Sequence, residues 1–388
     1  MRIGRILAAT VMLLAVVAGF LTYARVQSQR PVSIAPAGPY PVGRITDLWV
    51  DRSRTDQFAP IGGTPRMLST WIWYPAGGPG PESAYAPGEW SAMQRYGWAS
   101  TSLDRVRTGT RDEPSWAKGR FPIVVLLPDL GLAAPQYAAV ASGLAARGSV
   151  VVGVTPTYSS RLSVIDGHRV PATAAGSATG REDQLVSVWA ADARFAAARA
   201  TQQFGSNVNS AKLSYVGHGL GGTAAIEACH LDARCTAAAS LDGTPAGAAT
   251  SPDDAPVSAA ASPDSAPVSA AASSDSAPAG TAASLDGAPA SDGFSRPLLL
   301  LNTPGPAPLG TGRTFTLRGA ERLSFTDLAA FHVSAPLRRA LPLGTINGRH
   351  ALTITTEFVS SFLQSATHGT PWTPPTYPEV QEATVLSR

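Results

Sequence analysis

The sequence predicts an α/β protein with a mostly parallel central sheet and helices on both of its faces. Two observations carry that expectation. Residues 122–127 form a continuous apolar run, as in a strand covered on both sides, 149–154 form a second apolar strand, and 211–216, 236–241 and 297–302 read as further strands. Stretches with helical spacing lie between them at 135–147, 181–204 and 219–229, and another at 351–365 follows the last run. In 181–204, for instance, Leu185, Val188, Trp189, Phe195 and Ala196 recur at helical spacing. Strand and helix in alternation is the pattern of parallel strands joined by crossover helices. Two earlier runs, 46–50 and 67–74, read as further strands. The polar stretch 77–119 reads as irregular surface covering.

The N-terminal residues stand apart. Arg2 and Arg5 precede an uncharged apolar stretch, residues 6–24, and Arg25 and Arg30 follow it. As a helix that stretch would span about 28 Å, close to the hydrocarbon thickness of a bilayer. Residues 1–30 therefore read as a signal anchor, leaving a single-pass protein of the cell membrane with an extracytoplasmic domain. A cleaved signal peptide and a secreted chain are the alternative. Residues 31–45 are Pro/Gly-rich and read as a linker, 46–380 as the domain and 381–388 as a tail.

Composition narrows the function classes. A 44% hydrophobic content allows a large buried core, and the net charge of +3 is small for 388 residues. No run of five Lys/Arg occurs, so nucleic acid finds no electrostatic footprint. No Cys/His spacing resembles a metal site, and no cofactor is expected. Cys229 and Cys235 are either two small buried thiols or, as favoured outside the cytoplasm, a disulfide.

From Ser240 to Phe294 the chain repeats with a period of 11 residues, beginning SLDGTPAGAAT and ending SLDGAPASDGF. Each unit carries Pro and few large apolar residues, which excludes a helical repeat. Residues 244–293 are expected to be a disordered, acidic Pro/Ala/Ser/Asp insert.

The informative motif is Gly217-His218-Gly219-Leu220-Gly221-Gly222, placed between a strand and a helix. That context is the elbow of α/β hydrolases, G-x-S-x-G, in which a serine projects from a strained turn. Here the middle residue is Gly219, which carries no nucleophilic atom. By itself a Gly-rich turn of this kind is unspecific and could equally hold a phosphate.

Further motifs in register decide the reading. They are residues 38–43 (GPYPVG), 73–75 (WYP), 122–137, 217–222 (GHGLGG), 241–243 (LDG), 324–327 (SFTD) and 376–379 (TYPE). With them, nearly all of residues 38–380 apart from the repeat resembles the plasma-type platelet-activating factor acetylhydrolases and their bacterial relatives. The resemblance implies an α/β-hydrolase fold and hydrolysis of acetyl or short oxidised acyl phospholipid esters. It places the nucleophile at Gly219, the acid at Asp242 (or Asp286, in the second Ser-Leu-Asp-Gly) and the base at Arg322. The backbone donors of the oxyanion hole would be Leu130 and Leu220. Three departures matter. Gly219 removes the attacking oxygen, and Arg322 stays protonated and removes the base. Asp129, in a turn where the family has glycine, would oppose a negative oxygen if its carboxylate points inward. The histidines do not replace them: His218 stands behind the nucleophile position, His332 suits a surface or packing role on a helix, and His168 and His350 lack a visible partner. The expectation is a degenerate hydrolase retained as an extracytoplasmic binding or scaffold protein, with a lipid or ester small molecule as its ligand class. The alternative is an active esterase using a non-standard site.

Overall fold

The computed structural model describes residues 2–243, 294–305 and 312–383. The 11-residue repeat, and Asp286 with it, lies outside the described residues.

Helix α1 (Arg2–Ser28) comes first, long and apolar enough to cross a membrane, and its apolar stretch is exposed. Strands β1 (Val32–Ser33), β2 (Val42–Thr55), β3 (Pro65–Pro75), β4 (Glu82–Ala84) and β5 (Val106–Asp112) follow. Next come β6 (Phe121–Leu127), α2 (Ala138–Ala146), β7 (Val150–Thr155) and a small hairpin of β8 (Ser163–Ile165) with β9 (His168–Val170). The chain continues through α3 (Glu182–Phe204), β10 (Val208–His218), α4 (Leu220–Leu231) and β11 (Cys235–Leu241). It ends with β12 (Leu298–Asn302), β13 (Arg313–Leu317), α5 (Ala335–Ala340), α6 (Gly348–His368) and β14 (Val380–Glu382).

The main sheet runs β1-β5-β2-β3-β7-β6-β10-β11-β12-β13-β14, with β4 paired to β5. From β7 to β13 every pairing is parallel, while β2–β3, β3–β7 and β13–β14 are antiparallel. The continuous apolar runs now have their cause. On β6, Val124 and Leu126 face a core shared with α2 and α6, whereas Ile123, Val125 and Leu127 face a second core shared with α3 and α4. Both faces are buried, so neither can be polar. The disulfide Cys229–Cys235 joins the end of α4 to the start of β11.

Two parts of the chain differ from the sequence reading. Residues 31–45 are not a linker: β1 pairs with β5, Val32 and Ile34 are buried, and β2 starts at Val42. Val32 and Ile34 are enough to seat the start of this stretch because they land on the sheet edge beside β5. Within 77–119, expected to be irregular, β5 supplies sheet hydrogen bonds, and residues 381–382, assigned to a tail, pair with β13.

Candidate functional site

Strand β10 delivers the chain to a sharp turn. His218 ends the strand, Gly219 has φ 52° and ψ −124°, and α4 begins at Leu220. The flanking glycines are set by close approach. A Cβ at Gly217 would lie 2.0 Å from the Gly221 carbonyl oxygen, and one at Gly221 would lie 2.2 Å from that of Pro128. No larger residue fits either place, so the elbow keeps its shape although the serine is missing.

Opposite Gly219 stands the turn that follows β6. A Cβ on Gly219 would fall 2.2 Å from Oδ1 of Asp129 and 2.5 Å from its Cγ. The carboxylate thus fills the space that any side chain at 219 would need. Oδ1 accepts hydrogen bonds from the backbone N–H of Leu130 (2.7 Å) and of Leu220 (3.1 Å). These are the two donors that the resemblance assigned to the oxyanion. Arg322, on a 3₁₀ turn (Arg322–Phe325), clamps the same carboxylate from the other side. Its Nε donates to Oδ2 at 2.6 Å and its Nη2 to Oδ1 at 2.8 Å. Asp129 was expected to oppose a negative oxygen if its carboxylate points inward. It does point inward, and its Oδ1 takes up both N–H donors itself.

The electrostatics agree with the geometry. Burial alone would raise the Asp129 carboxyl, which is 3% exposed, but the Arg322 guanidinium and the donor N–H groups more than reverse this and hold it below the ordinary range. Burial likewise works against the Arg322 charge, and Asp129 outweighs it. A carboxylate so neutralised is a poor nucleophile, and a guanidinium so paired accepts no proton.

Asp242 directly ends β11 with φ 55°, a left-handed conformation, and is partly buried. Its Oδ1 accepts from the Thr303 N–H (3.0 Å) and hydroxyl (2.6 Å). Among the described residues no hydrogen bond or ion pair joins it to Arg322, although its charge adds to the stabilisation of that guanidinium. The three positions Gly219, Asp242 and Arg322 are therefore brought to one end of the sheet, but no proton relay connects them.

Behind the elbow, His218 is buried and its Nδ1 lies 2.7 Å from the Tyr137 hydroxyl, which accepts from the Asp129 N–H. The phenol then has its one proton to give to Nδ1, which leaves the proton of His218 on Nε2, on the side of the Arg322 backbone. Burial lowers the imidazole pKa against the pull of Asp129, so the ring is neutral at pH 7. The sequence did not reveal a role for Tyr137 or for Asp327. The Asp327 carboxylate caps α2, accepting from Ala138 N–H and Ala139 N–H at 2.9 Å each, and so steadies the helix that follows the Asp129 turn. Burial raises its pKa to about 7, partly offset by those N–H groups and the Tyr85 hydroxyl. The other histidines stand elsewhere. His332 is not on a helix but between a 3₁₀ turn and α5, His168 opens β9, and His350 pairs with Glu379 at 3.2 Å. No cluster of metal-ligating side chains occurs among the described residues.

Compared with known proteins, the chain matches no protein-family profile and no curated protein sequence. Solved structures do match it. A ferulic acid esterase from Streptomyces cinnamoneus superposes with a TM-score of 0.70 at 24% identity, over 92% of this chain and 100% of that one. The fold is that of an α/β hydrolase. At one end of this fold the glycine elbow carries no side chain, the backbone donors of Leu130 and Leu220 are taken up by Asp129, and the 3₁₀ turn after β13 presents the cation of Arg322.

Proposed function

We propose that this chain is a degenerate ester hydrolase of the platelet-activating factor acetylhydrolase kind, held outside the cytoplasmic membrane and retained for binding or scaffolding. One observation carries the reading. The Asp129 carboxylate takes the place of the nucleophile side chain and engages both oxyanion donors while paired to Arg322. Acyl transfer needs those donors empty, an attacking oxygen and a base beside it, and all three requirements fail together. The exposed apolar helix α1 and the Cys229–Cys235 disulfide support placement outside the cytoplasm. A lipid or ester small molecule is the ligand class that the fold suggests. The test uses the purified full chain with p-nitrophenyl acetate and a fluorophosphonate probe. Turnover at the level of a heat-killed control and no labelling are expected. Turnover abolished by mutating one residue beside Gly219 would overturn the reading in favour of an active ester or phospholipid acyl hydrolase with a non-standard site.

A further inference from the structure

The end of α1 is built into the domain. Ala24 and Ser28 are buried, and the Ser28 carbonyl accepts the Ser102 N–H at 2.8 Å. The Gln29 side chain accepts from Arg105 at 3.2 Å, and β1 starts three residues later against β5. The helix therefore leaves the domain in a fixed direction, and the surface around its exit must face whatever α1 enters. Trp98, 43% exposed, lies on the 3₁₀ turn Gly97–Ala99 that packs against α1. Beside it the Ala99 carbonyl accepts the Ser334 N–H, which brings the start of α5 to the same face. Exposed arginines stand on or beside these segments: Arg25 on α1 and Arg30 just after it, Arg95 just before the Trp98 turn, Arg339 on α5, and Arg349, which with Arg30 lies near His332. On these segments the acidic residue is Asp104, already paired with Arg105.

We propose that this arginine collar and Trp98 seat the domain on the anionic headgroups of the membrane that α1 enters. The inference rests on the anchored reading given under Proposed function. An apolar helix continuous with a basic rim and an exposed tryptophan matches a bilayer surface in each of its layers: hydrocarbon, interface and headgroup charge. The same seating brings the altered site beside the bilayer. Arg161, which packs over Gly131 next to Asp129, is within electrostatic reach of Arg95 and Tyr96 at the collar.

The experiment places the full chain in nanodiscs of neutral phosphatidylcholine or of phosphatidylcholine with phosphatidylglycerol, with and without brominated acyl chains. The signal of Trp98 is the difference between the parent and Trp98→Phe. Quenching by brominated lipid is expected in the anionic discs, and each exposed arginine at such a surface is worth about fivefold in affinity. High salt, or the variant Arg95→Gln/Arg339→Gln/Arg349→Gln, should reduce the quenching several-fold. Equal quenching in neutral and anionic discs, or none in either, would overturn the collar. Mass spectrometry of the same preparation separates this from failure of the anchor. If the chain has been cut after α1, the anchored reading fails. The collar is then judged by co-sedimentation of the cut chain with vesicles of the same lipids: binding to the anionic ones alone upholds it, and binding to neither refutes it.

Discussion

Placing a serine at the elbow, Gly219→Ser, should damage this protein rather than make it an esterase. The new Cβ would fall 2.2 Å from Asp129 Oδ1, and an ordinary contact needs 3.4 Å, so the carboxylate must retreat by about 1.2 Å. That retreat breaks the hydrogen bonds from Leu130 and Leu220 and the two-pronged pair with Arg322. Separating a fully buried ion pair costs about 3–5 kcal/mol, and the lower end applies because the Arg322 side chain remains 23% exposed. Placing a side chain at φ 52° adds about 1 kcal/mol or more of backbone strain. The total is about 4 kcal/mol, which for a domain this large lowers the melting temperature by about 8 °C. Adding Asp129→Gly vacates the space, and adding Arg322→His also removes the stranded cation, so stability should return stepwise. Activity should appear only in the triple variant, since lacking the nucleophile or base costs about 10⁶-fold in related triads. Circular-dichroism melts and p-nitrophenyl acetate turnover read the two effects. A Gly219→Ser protein that melts with the parent, or hydrolyses the ester while Arg322 remains, would refute the reasoning.

Asp327 makes stability depend on pH. Its folded pKa of about 7 lies above the ordinary carboxyl value of 3.8, so the folded state holds the proton more tightly across that window. Stability should therefore fall as pH rises from about 4 to 7, by at most about 1.4 kcal/mol per unit, and Asp327→Asn should flatten that slope in urea titrations at pH 5 and 8. Replacing both Cys229 and Cys235 with alanine opens a link of sequence separation 6 and should cost about 2 kcal/mol by loop entropy, read from denaturant midpoints. Deleting residues 251–283 removes three repeat units while leaving Phe294 against the core. Shortening a loop to that extent changes closure entropy by only about 0.8 kcal/mol, so a fall of more than a few degrees in the melt would count against a merely connecting role.

The parallel part of the sheet was legible because strands buried on both faces carry mostly apolar residues. The apolar runs of β6, β7 and β12 follow from that constraint, while Ser214 on β10 and Ser240 on β11 are buried hydroxyls that it does not exclude. The edge was not legible. Val32 and Ile34 sit among Pro, Ser and Ala, and their burial depends on β5, which is more than seventy residues away in sequence. Motif order pointed to Gly219, Asp242 and Arg322, which the structure brings to one end of the sheet, and the direction of Asp129 was the open question. Two residues of opposite charge, Asp129 and Arg322, were both in view, and their complementarity was the available sign of their pairing. Asp327 gave no such sign, because its partners are the backbone N–H groups of Ala138 and Ala139, and any sequence supplies those.

The seam between α1 and the domain also constrains timing. A signal peptidase acting after the apolar stretch would need an extended segment around residues 24–33. In the folded chain Ala24, Ser28 and Val32 are buried, and residues 32–33 are committed to the sheet. Processing and folding therefore compete for the same few residues. Cleavage can win only while the chain is still emerging. Once β1 has paired with β5, the residues that a peptidase would need are withdrawn into the domain, so under the proposed anchored reading the order of pairing and cleavage decides whether α1 stays attached.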